Sequence, residues 1–167
     1  MFDGNLVDGL MLASTLVYNG LCVLVFVFRG LDMEAWERKI GPPFSALLIP
    51  FALLWVVNLT GGADGSLLIA GAPIILFLGY DLWYRSIAKS KPRHHPEKWP
   101  RELVVYLLLY HLGGITLNGY SFLVSLGNGY VALASYFAAL GAYFFYQVRY
   151  NRMRGVEAEA SASLSPV

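Results

Sequence analysis

The chain has 167 residues, 57% of them hydrophobic and 14% charged, with a mean hydropathy of +0.54 and a formal net charge of +1. One domain fits that length, and the apolar excess excludes an ordinary soluble fold, a disordered chain and a polycation built for nucleic acid. The single cysteine, Cys22, excludes an intrachain disulfide, a CxxC redox pair and a cysteine-based zinc site.

A helix needs about 20 apolar residues to cross roughly 30 Å of hydrocarbon. Five stretches meet that need, at 6–28, 44–60, 66–84, 103–126 and 130–148. The first follows MFDGNLVDG, which has no Lys or Arg. Its apolar run exceeds the roughly 7–15 residues of a signal-peptide core, so it is read as a true span. The link RGLDMEAWERKIGPP alternates its charges as a solvated or interfacial helix does, with Trp36 at the headgroup level. The second span is the shortest and holds Pro50, where a kink is expected; GGADG then turns the chain. Pro73 interrupts the third span, so neighbouring helices are expected to supply the hydrogen bonds it removes. The polar loop 85–102 leads to the fourth span, GNG reverses the chain, and the fifth span follows. The domain is thus 1–154, and the polar, Ala/Ser-rich remainder 155–167 reads as a disordered cytoplasmic tail.

All 12 Lys and Arg fall in three places: Arg29, Arg38 and Lys39; Arg85, Lys89, Lys91, Arg93, Lys98 and Arg101; and Arg149, Arg152 and Arg154. The opposite side carries only Asp3, Asp8 and Asp64. The positive-inside rule therefore predicts an all-α bundle of five transmembrane helices, N-terminus out and C-terminus in, in the plasma or cytoplasmic membrane. The expected surroundings are the lipid bilayer, with anionic headgroups at the basic loop, and no nucleic acid.

Ionisable side chains inside a span cost at least about 2.5 kcal/mol on insertion scales, so each is a functional candidate. Asp81 and His111 are the two candidates for catalytic acid or base. Asp81 has Arg85 at i+4 on the same helix face, which also suits an ion pair at the helix end. His111 lies about 12 Å from the start of the fourth span and heads a stripe with Gly114, Asn118, Ser121 and Ser125. On the first span Asp8, Thr15, Asn19 and Cys22 recur at helical spacing, and Asn19 is about 13 Å from the same membrane face. The fifth span adds Tyr136, Tyr143, Gln147 and Tyr150. The ligand-binding set expected from this pattern is Asn19, His111, Asn118, Tyr136 and Tyr143, with no metal and no cofactor; the bland reading of the same residues is interhelical hydrogen-bond glue. Ala134, Ala138 and Ala142 repeat small residues every fourth position, which suits close helix approach within the chain, in a homo-oligomer or in a larger membrane complex.

Two function classes follow. The first is a transporter-like module or accessory subunit that handles a small solute or proton at the polar intramembrane face. The second is an intramembrane enzyme acting on a lipid or isoprenoid-like substrate, a cyclase, isomerase or transferase with Asp81 or His111 as acid or base. The scarcity of ionisable groups favours the first.

Overall fold

The computed structural model describes residues 4–61, 65–86 and 101–163. They form α1 (Gly4–Gly30), α2 (Glu34–Ala46), α3 (Leu48–Gly61), α4 (Gly65–Ser86), α5 (Arg101–Val124) and α6 (Leu126–Ser163), with no strand among the described residues. Five stretches are long and apolar enough to cross a membrane: Leu6–Gly30, Ala35–Thr60, Gly65–Trp83, Val104–Val124 and Leu126–Met153. The helices fall where the apolar runs predict, and the differences are at the joints. Residues 87–100, and with them most of the basic loop expected to meet anionic headgroups, lie outside the described residues. So do the Arg85 side chain and residues 164–167 of the tail; α6 itself is helical through Ser163.

The joint between α1 and α2 is a helix-capping turn. Leu31 and Asp32 donate back to Val27 and Arg29, and the Met33 N–H reaches the Phe28 carbonyl at 2.8 Å. This closure requires a left-handed residue, a place filled by Asp32 at φ 58° rather than by the usual glycine. Arg29 then binds Glu37 at 2.8 Å, and Lys39 sits 4.4 Å from the Trp36 ring centre, so the alternating charges of this link belong to a helix folded against the end of α1.

The kink expected at Pro50 is a break three residues upstream, at Leu47, between α2 and α3. A proline ring clashes with the carbonyl four residues back, here Ala46, and tolerates only the first turn of a helix. The chain therefore restarts at Leu48 with Pro50 inside that turn. Pro73, by contrast, leaves α4 unbroken. In the turn before it, Thr116 Oγ1 of α5 donates to the Ala70 carbonyl at 3.0 Å and Trp55 Nε1 of α3 donates to the Leu68 carbonyl at 3.1 Å. These bonds reach the carbonyls on either side of Ile69, the one whose helix partner Pro73 removes. At the same level a Cβ on Gly113 would stand 3.2 Å from Ile74 Cα, so a glycine is needed where α5 lies directly on α4.

The reversal between α5 and α6 is at Ser125, and Gly127-Asn128-Gly129 belong to the first turn of α6 rather than to a loop. Ser125 Oγ accepts the Asn128 N–H at 3.1 Å, so a serine cap, not the glycine pair, starts this helix.

In lipid, helices associate by packing and hydrogen bonding rather than by escape from water. The pairs α1–α6 and α4–α5 pack most extensively. α6 meets its neighbours through the buried small residues Ala132, Ala139 and Ala142, while Phe137, Phe144 and Phe145 point outward. Of the alanines singled out in the sequence only Ala142 is buried; Ala134 and Ala138 are exposed.

Candidate functional site

Two regions hold the polar and aromatic groups of the interior. The first is a polar seam on α1, α5 and α6. Near one end Tyr120 donates to Asp8 at 2.6 Å. Deeper in, Asn19 Nδ2 donates to Ser135 Oγ at 2.8 Å, and His111 Nδ1 faces Tyr136 Oη at 3.5 Å. Asn19 and His111 thus share a depth, as the sequence implies, yet each meets its own residue of α6 rather than the other. Gly114 makes the second pairing geometrically feasible, because a Cβ there would stand 2.7 Å from Tyr136 Cε2.

Most other seam groups close on their own helix. Thr15 donates to the Met11 carbonyl, Ser121 to Leu117, Ser135 to Ala132, and Asn118 Nδ2 to Gly114 at 2.7 Å. Such i−3 and i−4 bonds satisfy a hydroxyl or amide without calling on a ligand. The exception is Asn118 Oδ1, which is buried without a hydrogen-bond partner among the described residues.

The second region is a cleft on α1, α2, α4, α5 and α6, near the end of the bundle that carries Arg29. Phe26, Phe44, Phe77, Tyr106 and Tyr110 make its buried walls, and the half-buried Val25, Arg29, Leu107 and Tyr143 make its rim. Cys22 lies between them. The space a water-sized group can occupy inside it is about 30 Å³, and the rest of the opening is continuous with the surroundings.

The rings are held by one another in edge-to-face contacts. Phe26 meets Tyr143 at 5.2 Å and Tyr110 at 6.0 Å, and Phe77 meets Tyr106 at 5.1 Å and Tyr110 at 5.6 Å. Each contact adds about 0.5–1.5 kcal/mol beyond area burial in soluble proteins, and together they fix the walls. Beneath them Tyr18 packs on Phe44, Phe77 and Tyr110. Its Oη sits beside the Cys22 thiol and is buried with no nitrogen or oxygen partner among the described residues.

Asp81 is 2% exposed and takes a hydrogen bond from Tyr106 Oη at 3.2 Å, so the carboxylate stands just behind the cleft wall. Of the sequence-expected ligand set, Tyr143 lines the cleft; Asn19, His111, Asn118 and Tyr136 belong to the seam. The sequence reading did not single out Phe26, Arg29, Phe44, Phe77, Tyr106 or Tyr110. One signal was available: Tyr106 and Tyr110 stand at i,i+4, on one face of α5. Among the described residues no group of three His, Cys, Asp or Glu side chains comes together that could hold a metal ion.

Comparisons with protein family models, with curated proteins and with solved structures return no match to this chain.

Proposed function

We propose that this chain is a multi-pass protein of the cytoplasmic membrane, N-terminus out and C-terminus in, that holds a lipophilic solute in its aromatic cleft as a transporter-like module or accessory subunit. The observation that carries this reading is the cleft itself: rings from five helices, packed edge-to-face on one another, border a small opening between the helices. The seam supports a scaffold role in the same reading, since its groups, Asn118 Oδ1 aside, are answered within the bundle. The orientation is supported by charge, because Arg29 and Arg149 stand near one end and Asp8 near the other.

The enzyme reading keeps one specific support, the Asp81–Tyr106 hydrogen bond at the cleft wall, which could hold an acid near a bound lipid. It needs the carboxylate to reach the ligand, whereas Tyr106 stands between them.

Cys22 is the only cysteine and lines the cleft, so its alkylation by N-phenylmaleimide in lipid nanodiscs reports access directly. Cys22 is 3% exposed, so slow labelling is expected in the folded protein against fast labelling in the unfolded one, and Leu107→Trp at the rim is expected to slow it about tenfold further, close to 1.4 kcal/mol of restricted access. A folded protein whose Cys22 resists the reagent as strongly as the Leu107→Trp variant has no accessible cleft, and the proposal fails.

A further inference from the structure

We infer that α2 is a hinged flap over the cleft, latched shut by the Arg29–Glu37 pair; this deepens the reading of the cleft as a ligand site and rests on it. Size comes first. The accessible space of about 30 Å³ holds about two waters, so a larger solute enters only when a wall moves. α2 gives that wall one ring, Phe44, which packs on Tyr18 at 5.6 Å and on Phe77 at 6.0 Å. α2 lies against α1, α3 and α4; among the described residues it makes no close backbone approach to α5 or α6. Those two helices carry Tyr106, Leu107, Tyr110 and Tyr143 of the lining. Moving α2 away therefore withdraws Phe44 and leaves the walls of α5 and α6 in place.

Both ends of α2 are joints. Before it stands the left-handed Asp32. After it comes Leu47, held by two long bonds, its own N–H to Phe44 at 3.2 Å and the Phe51 N–H to its carbonyl at 3.3 Å. Pro42, Pro43 and Pro50 have no N–H to give to the carbonyls of Arg38, Lys39 and Ala46, so α2 and its junction with α3 lack three helix bonds. α2 buries a narrow stripe, Ile40, Gly41, Phe44 and, at its end, Leu47, while Trp36, Lys39, Pro42 and Pro43 are exposed. Soft joints at both ends of a thinly buried element are the makings of hinge closure. A further tie is electrostatic. Glu37 Oε1 stands 2.8 Å from both Nε and Nη2 of Arg29, which itself lines the cleft, so the pair fastens the flap to the site that it covers.

The test follows alkylation by N-phenylmaleimide in lipid nanodiscs at Cys22 and, in a Cys22→Ser background, at a reporter, Ser121→Cys, a buried seam position on α5. Glu37→Gln parts the latch and is expected to speed Cys22 alkylation at least about tenfold, a gap of about 1.4 kcal/mol. The reporter should stay within about twofold. Pro50→Ala gives the Ala46 carbonyl its missing donor, makes α2 and α3 one rod, and is expected to slow Cys22 several-fold below the native rate. Equal acceleration of Cys22 and the reporter overturns the flap, because the bundle has then loosened as a whole. An unchanged Cys22 rate in Glu37→Gln overturns the latch, and an unchanged or faster one in Pro50→Ala overturns the hinge; either leaves the ligand site standing. Cys22 as resistant in Glu37→Gln as in Leu107→Trp overturns both the flap and the ligand site.

Discussion

The seam and the cleft draw on the same three helices, α1, α5 and α6, yet they use polar groups in opposite ways. In the seam, Asn19 finds Ser135, Tyr120 finds Asp8, and Thr15 and Ser121 turn back on their own carbonyls. In the cleft, Cys22, Arg29 and three tyrosine side chains border open space. Polar groups buried in a bilayer are expensive, so the seam is explained by packing alone, whereas in the cleft Arg29 and Tyr106 are held by Glu37 and Asp81 and still border an opening, the feature on which the proposed function rests. Intramembrane polarity by itself points to both regions; the cavity separates them.

The comparison breaks most readily where both regions depend on one helix contact. Gly113→Leu pushes a side chain into the Ile74 backbone and separates α5 from α4. About 2–3 kcal/mol of stability is expected to be lost, as in overpacked cores, and Cys22 alkylation should speed up with it because Phe77 and Tyr110 sit on opposite sides of that contact. Thermal unfolding in detergent measures the first effect; an unchanged midpoint would mean that the helices are not this close.

A separation of the two regions is expected next. Asn19→Leu removes the bond to Ser135 and should cost about 1 kcal/mol, in the range of interhelical hydrogen bonds in membranes, without altering the rate of Cys22 alkylation. Asn118→Leu should be neutral or stabilising, because it trades a buried, unpartnered Oδ1 and one local bond for an apolar side chain of similar size. A changed alkylation rate in Asn118→Leu would mean that the seam and the cleft are one site.

Orientation adds a check independent of both. A fluorescent protein fused after Val167 should fold and emit on the cytoplasmic side, and alkaline phosphatase at the same place should be inactive; the reverse pattern would turn the cleft to the outer leaflet. The smallest effect is expected at Asp32. Asp32→Gly should be neutral to mildly stabilising and Asp32→Val should lose about 1 kcal/mol, since only the second adds a β-branched side chain at φ 58°.

The spans were legible because lipid demands long apolar runs, and the common depth of Asn19 and His111 was legible because a helix rises about 1.5 Å per residue. Their partners were not. Ser135 and Tyr136 are neighbours on α6, and which of them meets α1 or α5 depends on the rotation of a helix that is apolar on nearly every side. The cleft was hidden for the same reason: Phe26, Phe44 and Phe77 look like any lipid-facing ring until five helices are assembled around them. The GNG triplet misled because glycine and asparagine are turn formers, while the residue that stops α5 and caps α6 is the less conspicuous Ser125. Pro50 foretold a break but not its site, because its clash acts one turn upstream.

The most direct test compares the rate of Cys22 alkylation in the native protein, in His111→Phe and in Tyr143→Ala, each verified as folded. His111→Phe keeps the ring beside Tyr110 and removes the seam's imidazole, so the rate should stay within about twofold, under 0.5 kcal/mol. Tyr143→Ala removes a rim ring of the cleft, so alkylation should speed up at least about tenfold. A rate changed by His111→Phe and unmoved by Tyr143→Ala would contradict the account and return the site to the polar seam.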